Sequence, residues 1–460
     1  MKTETAPYDP KKFDWPLAYP AEELLAGHVK TFLEKNSFTR KLSARMRDES
    51  GTDFFEWIDH LVLPPENEFA LREVGFANDE VEALPGDLVL HHPRATLPRV
   101  ILREGKNNFT IALRPEFVAD FIARQNLAAE IEGEPLSQLR RAVVNEENET
   151  RVEAVERRAY RGFLTAPLKT GELAAILKAK EIWQTRRRFF ANAADGVALA
   201  KKLLAQSLSL VGRDQTCQIF FEAERAYWEN RNRAARIQKF RQDQLGLGWG
   251  NHDHHTFRSS REHFVDLTDF LLALGFEKRE RYYAGAEAGW GAQISEQSLV
   301  GITVFADVDL MPDETQLDFS SHRLPPAPKL GTVGLWVGLH GESFLGAGMH
   351  HLEARFDYAL LREQLKAAGI NTMNPFSNFE FLKQAFTEGE RWTVDRARAE
   401  KLLAAKLITP EQFEKFVKEG ALGSHLENLQ RHGGFKGFNQ KSVSVVISAT
   451  DPRREHFAAA

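Results

Sequence analysis

Residues 251–260 read NHDHHTFRSS, with His252, His254 and His255 around Asp253 and an arginine at 258. Imidazole nitrogens and carboxylates at this density are the material of a divalent-metal site. On a β-strand, side chains alternate between faces. His254, Thr256 and Arg258 then share one face, and Asp253, His255 and Phe257 the other. A second segment, GMHHLEARF at 348–356, repeats the arrangement: His351, Glu353 and Arg355 lie on one face, His350 and apolar residues on the other. His-x-x-x-Arg followed by an amphipathic helix thus occurs twice, His351 coming 97 positions after His254. A third segment, AFTEGERW, carries Glu388 and Glu390 on one strand face. Two histidines and one carboxylate from three strands make a facial triad, which leaves positions open for substrate and dioxygen. Such ligands suit Fe(II) or Mn(II), and Zn(II) binds them too.

The elements that must bring these residues together span the last part of the chain. DHHTFRSS, EKRERYYAG, AGWGAQIS, VGITVFADVDL, VGLWVGLHG, AGMHHLEARF and KSVSVVISATD read as strands, and REHFVDLTDFLLALGF and DYALLREQLKAAGI as amphipathic helices. FEFLKQAFTEGERWTVD reads as a short helix passing into a strand near Thr387, and RARAEKLLAAKLITPEQFEKFVKEG as a helical insertion. Strand, helix and strands, twice over, suggest a duplicated module. Three regions are expected: an α+β region at 1–114, a helical region at 115–247 and a metal-binding domain at 248–460. The helical region, including SQLRRAVVNEENETRVEAVERRAYRGF, is expected to cap the site or to make a homodimer contact. The strands at 54–113 suggest a degenerate module of the same kind, on the strength of DHLVL. The pairs Asp59–His60 and His91–His92 are expected to be structural.

Composition narrows the function classes. The chain has 460 residues, 43% hydrophobic and 27% charged, with a net charge of −5. That balance gives no electrostatic reason to expect nucleic acid or an anionic membrane as partner. No apolar run reaches transmembrane length. A single cysteine, Cys217, excludes an intrachain disulfide and a thiolate cluster, and a reducing cytoplasm is the expected compartment. Any metal must be held by His, Asp or Glu.

The four segments DHHTFR, HHLEARFDYALLREQLKAAGI, FTEGERWTVD and GFNQKSVSVVIS occur in the order of the motifs of the 2-oxoadipate dioxygenase/decarboxylase (hydroxyglutarate synthase) family, which residues 250–450 resemble. The resemblance implies an α+β, vicinal-oxygen-chelate-like fold: a curved β-sheet core of paired βαβββ modules, with the helical region as insertion or cap. It implies Fe(II) with O2 as co-substrate, and a small 2-oxo acid converted to a 2-hydroxy acid and CO2. By motif, His254, His351 and Glu390 (alternatively Glu388) become metal ligands. Arg258 becomes the substrate-carboxylate arginine, with Arg355 as its repeat. Ser442 and the neighbouring Lys441 become contacts of the closing segment. Other activities of this fold (extradiol or hydroxyphenylpyruvate-type dioxygenase, glyoxalase-like isomerase) and a non-catalytic binding protein on the same scaffold are the competing expectations.

Overall fold

Two curled sheets, each built from a pair of βαβββ units, organise the computed structural model, which describes residues 15–284, 289–439 and 451–453. Ser442 and Lys441 lie outside the described residues.

The chain starts with helices α1 (Tyr19–Lys35) and α2 (Ser37–Arg45). The first pair of units runs β1 (Ile58–Leu63), α3 (Glu68–Glu73), β2 (Ala77–Asn78), β3 (Leu88–His91), β4 (Arg99–Leu102), then β5 (Thr110–Leu113), α4 (Val118–Arg124), β6 (Leu139–Glu147) and β7 (Thr150–Arg157). The sheet order is β2-β3-β4-β1-β5-β7-β6. Four helices follow: α5 (Glu172–Thr185), α6 (Ala193–Val211), α7 (Arg213–Glu229) and α8 (Arg233–Gln244). The second pair runs β8 (His252–Arg258), α9 (Phe264–Ala273), β9 (Glu277–Tyr283), β10 (Trp290–Gln297), β11 (Ile302–Asp309), then α10 (Thr332–His340), β12 (His351–Arg355), α11 (Tyr358–Ala367), β13 (Ser377–Phe379), β14 (Leu382–Phe386), β15 (Glu390–Trp392), α12 (Arg396–Ala404), α13 (Pro410–Glu419) and β16 (Ala421–Arg431). Its order is β13-β14-β16-β12-β8-β11-β10-β9, with β15 on β16.

Both sheets obey one rule. The first strand of each unit is parallel to its last (β1 with β4, β5 with β7, β8 with β11, β12 with β16). The two first strands of a pair meet antiparallel (β1 with β5, β8 with β12). This is the vicinal-oxygen-chelate arrangement, present twice in one chain. The registers align the copies residue by residue. His60 takes the place of His254, Thr110 that of His351, Ala112 that of Glu353 and Glu153 that of Glu427.

Helices α5–α7 cover the back of the second sheet. Trp183, Phe220 and Phe221 form one buried cluster with Phe257 of β8 and Phe270 of α9, while Leu173 and Leu177 of α5, Leu210 of α6 and Phe240 of α8 stay exposed. Among the described residues no helix is long and apolar enough to cross a membrane.

Three expectations are corrected. Residues 139–157 form the hairpin β6–β7, not a helix, so the first sheet reaches well past residue 114. Asn148 and Glu149 both take positive φ, 47° and 61°, the signature of a primed hairpin turn. Val152 and Ala154 alternate into the core. VGLWVGLHG is helix α10: a short apolar run buried on every side has no periodicity to distinguish helix from strand. Residues 377–386 are the hairpin β13–β14, where a short helix was expected.

The first pair of units has no open cup. Phe163 is buried against its inner face. Its ring lies edge-on to His60, 4.9 Å between centroids, beneath the guanidinium groups of Arg99 (4.4 Å) and Arg157 (4.7 Å).

Candidate metal centre

Strands β8, β12 and β16 are neighbours in the second sheet, and His254, His351 and Glu427 project from them into one pocket. The ligand atoms of these three buried residues lie within 4.8 Å of one another. His351 Nε2 is 2.9 Å from Glu427 Oε2, and His254 Nε2 is 3.9 Å from the same oxygen. A second carboxylate joins them: Glu353 Oε2 lies 2.5 Å from His254 Nε2. Gln384 Nε2 donates to Glu353 Oε1 (3.2 Å) and to Glu427 Oε1 (3.1 Å), tying the two carboxylates to one amide. Thr256 Oγ1 lies 2.8 Å from His351 Nε2.

A β-bulge sets the geometry on β8. Opposite β12 the register steps from Glu353–His254 to Ala354–His252, so Asp253 is the extra residue. Bulges beside sites re-aim side chains. Asp253 therefore does not sit on the far side from His254, as simple alternation predicts, but comes within 3.4 Å of His254 Nδ1. Arg431 holds Asp253 through two bonds, Nε to Oδ2 (3.1 Å) and Nη2 to Oδ1 (2.9 Å), and Arg355 Nε adds a third at 2.9 Å. A carboxylate behind a ligating imidazole fixes ring orientation and raises ligand basicity.

The electrostatics fit a divalent cation. Burial pushes the His254 and His351 imidazoles below their ordinary range, so both are neutral and able to coordinate. Burial, and then the mutual repulsion of the two carboxylates, drives Glu353 well above the carboxylic range; burial also raises Glu427. Two acids facing each other in an apolar pocket must keep a proton between them or share a cation. His351 Nδ1 is buried and makes no hydrogen bond, while Nε2 faces Thr256 Oγ1 and Glu427 Oε2. A group whose folded-state pKa is raised keeps a proton that the unfolded chain releases, so stability falls as pH rises above about 4.5. Metal-free protein is therefore expected to lose melting temperature between pH 5 and 8, with a shallower slope in Glu353→Gln; equal slopes by calorimetry would clear Glu353 of this role.

Arg258 is the other buried charge in the pocket. It is 2% exposed, and its backbone N–H donates to Ser343 Oγ at 2.8 Å. Its Nε lies 3.8 Å from Asp307 Oδ2, yet Nε and Nη1 make no hydrogen bond. Burial lowers Arg258 to about 10 and raises Asp307 to about 7. The pocket is small, about 60 Å³, and is walled by aromatic rings, among them Trp290, Phe305, Phe386 and Phe438. Phe305 occupies on β11 the register position that Glu427 holds on β16, so the first unit presents a ring where the second presents a carboxylate.

Of the residues expected at the site, His254, His351 and Arg258 line this pocket together. Glu390 does not. Its Oε2 accepts from Arg233 N at 2.9 Å, the first residue of α8, where the positive end of a helix favours an anion. Glu388 accepts from Asn371 Nδ2 at 3.1 Å. The carboxylate that does converge is Glu427, on a strand to which the sequence reading assigns no element. A signal was there: His351-Leu352-Glu353 and His425-Leu426-Glu427 are the same tripeptide, and the structure pairs them residue for residue. Arg355 also lies elsewhere, bonded to Asp253 and 3.4 Å from Glu56 Oε2. His255 packs on Phe221, and His350 Nδ1 lies 3.0 Å from Gly423 O, both as supporting residues. His60 is held by Asp59 at 2.7 Å.

The sheet topology is that of a vicinal-oxygen-chelate-like fold, and the buried imidazole–carboxylate group is its candidate metal centre. No protein-family model and no curated protein sequence matches the chain. Among solved structures, a triple mutant of 4-hydroxymandelate synthase from Streptomyces coelicolor is similar at 14% identity, over 87% of this chain and 99% of that one, with a TM-score of 0.30. Methylmalonyl-CoA epimerase from Mycobacterium tuberculosis is similar at 11% identity, over 40% and 88%, with a TM-score of 0.22.

Proposed function

We propose that this chain is an Fe(II)-dependent dioxygenase of a small 2-oxo acid, 2-oxoadipate or a close homologue, releasing CO2 and a 2-hydroxy acid one carbon shorter. The observation that carries the reading is one pocket holding both a His254–His351–Glu427 set and a buried guanidinium with donors to spare. His254, His351 and Glu427 hold the ion, with Glu353 as a neighbouring carboxylate. When bound, Fe(II) supplies the redox chemistry through which dioxygen reacts with a 2-oxo acid. Arg258 binds a substrate carboxylate, since a planar guanidinium matches its two oxygens. Asp307 beside it sits near its own midpoint at neutral pH and takes or gives up a proton as that carboxylate arrives or leaves. Gln384 fixes both glutamates, and the aromatic walls exclude water. The reaction balances with no further reductant: one oxygen atom enters the new carboxylate and the other the hydroxyl.

Glu353 favours a second reading. Two imidazoles with two carboxylates also suit a Zn(II) isomerase of the glyoxalase type, which consumes no O2. The test is anaerobic reconstitution with Fe(II), then 2-oxo acids of graded length in air, following O2 and CO2. Matched loss of O2 and release of CO2 is expected, and His254→Ala and His351→Ala should abolish both. Stoichiometric metal with no O2 uptake on any 2-oxo acid would overturn the dioxygenase reading.

A further inference from the structure

A second, larger cavity of about 320 Å³ is lined by residues of both sheets, and Arg258 is not among them. Eight arginine and lysine side chains and five carboxylates line it, so its wall is cationic overall. The duplication explains how. Each copy has an aspartate at the bulge of its first strand, Asp59 on β1 and Asp253 on β8. Each aspartate is clamped by an arginine four residues beyond the matching glutamate: Arg157 on Asp59 (2.7 and 2.9 Å) and Arg431 on Asp253. Both clamps line the cavity.

The copies differ at one further position. Arg355 ends β12 and bonds Asp253. Its register counterpart is Arg114, just past β5. Asp59 is instead held by Arg157, which bonds both carboxylate oxygens, and by His60 Nδ1, 2.7 Å from Oδ2, and Arg114 makes no bond to it. The Arg114 guanidinium therefore makes neither hydrogen bond nor ion pair with any described residue, although it lines the cavity beside Arg157 and Arg355. Burial pushes Arg114 down from its ordinary value; the Asp59 carboxylate opposes the shift, and Arg157, Arg225 and Arg355 add to it. An unpaired charge withdrawn from bulk water is costly unless an anion completes it.

We propose that this cavity binds a small polyanion, a phosphate or a multicarboxylate, with Arg114 as its principal contact and the other arginines of the wall adding positive potential. The ligand is held between the two sheets, so its binding ties the halves together and stabilises the folded chain by mass action. The site shares the Phe438 wall with the metal pocket, and the proposal does not rest on the reaction assigned there.

Isothermal titration of the full-length protein with pyrophosphate and, separately, citrate tests this and tells the two anion sources apart. One saturable site for at least one of them is expected. Arg114→Met should weaken it at least tenfold, and Arg258→Met should leave it within twofold. No saturable binding of either anion, equal affinity in Arg114→Met, or loss in Arg258→Met would each overturn the proposal. Should Arg114→Met fail to fold, phenylglyoxal labelling of the wild-type chain decides: the anion that binds should protect the Arg114 peptide in mass spectra, and unprotected labelling refutes the assignment.

Discussion

Replacing Glu427 with Gln should cost the protein its metal. Residues that merely support a ligand change affinity about 10- to 100-fold, so loss of a ligand should exceed about 100-fold and abolish turnover. The substitution keeps size and hydrogen-bonding capacity, so the fold should survive, and it also removes the repulsion that raises Glu353. Glu390→Gln and Glu388→Gln are the informative controls. Their carboxylates bond Arg233 N and Asn371, and metal affinity should stay within about twofold of the parent. Titration of metal-free protein with Co(II) or Fe(II) checks all three; undiminished affinity in Glu427→Gln would dismantle the ligand set.

The second large effect is expected at Arg258. Removing one partner of a buried, hydrogen-bonded charge pair costs about 2–5 kcal/mol, so Arg258→Met should weaken 2-oxo acid binding about 30-fold or more. Metal affinity should hardly change, because Arg258 contacts none of the ligand atoms. Burial already raises Asp307 to about 7; without the guanidinium it simply stays protonated, which limits the damage to stability. Methionine preserves the stem packed over Trp336, whose ring lies 5.6 Å from the guanidinium carbon. A variant with the parent's KM and a lower kcat would contradict a carboxylate-binding role.

The sequence made part of this site legible. His254 and Arg258 stand out because β8 carries polar residues at spacing two. His351 stands out because the same spacing recurs before an amphipathic helix. Glu427 was hidden for a physical reason. β16 is buried on both faces over nearly its whole length, and a strand covered on both sides shows no polar–apolar alternation. Glu390 drew attention because FTEGERWTVD sets two glutamates on one strand face and resembles a family motif, whereas its carboxylate stabilises the start of α8. The bulge at Asp253 could not be read either, since an inserted residue reverses face assignments without any marker in composition. The β6–β7 hairpin was missed because Glu, Arg and Ala dominate it. Those residues favour helices, and tertiary pairing overrode the preference.

Phe163 has a consequence for loading. The amino-terminal pair of units keeps the histidine and glutamate positions, as His60 and Glu153, yet offers a threonine at 110 and an alanine at 112 for the remaining donors, and an aromatic ring fills the space an ion needs. Among the described residues, four units in two sheets thus leave one candidate metal pocket. The amino-terminal half instead supplies part of the wall of the cavity between the sheets.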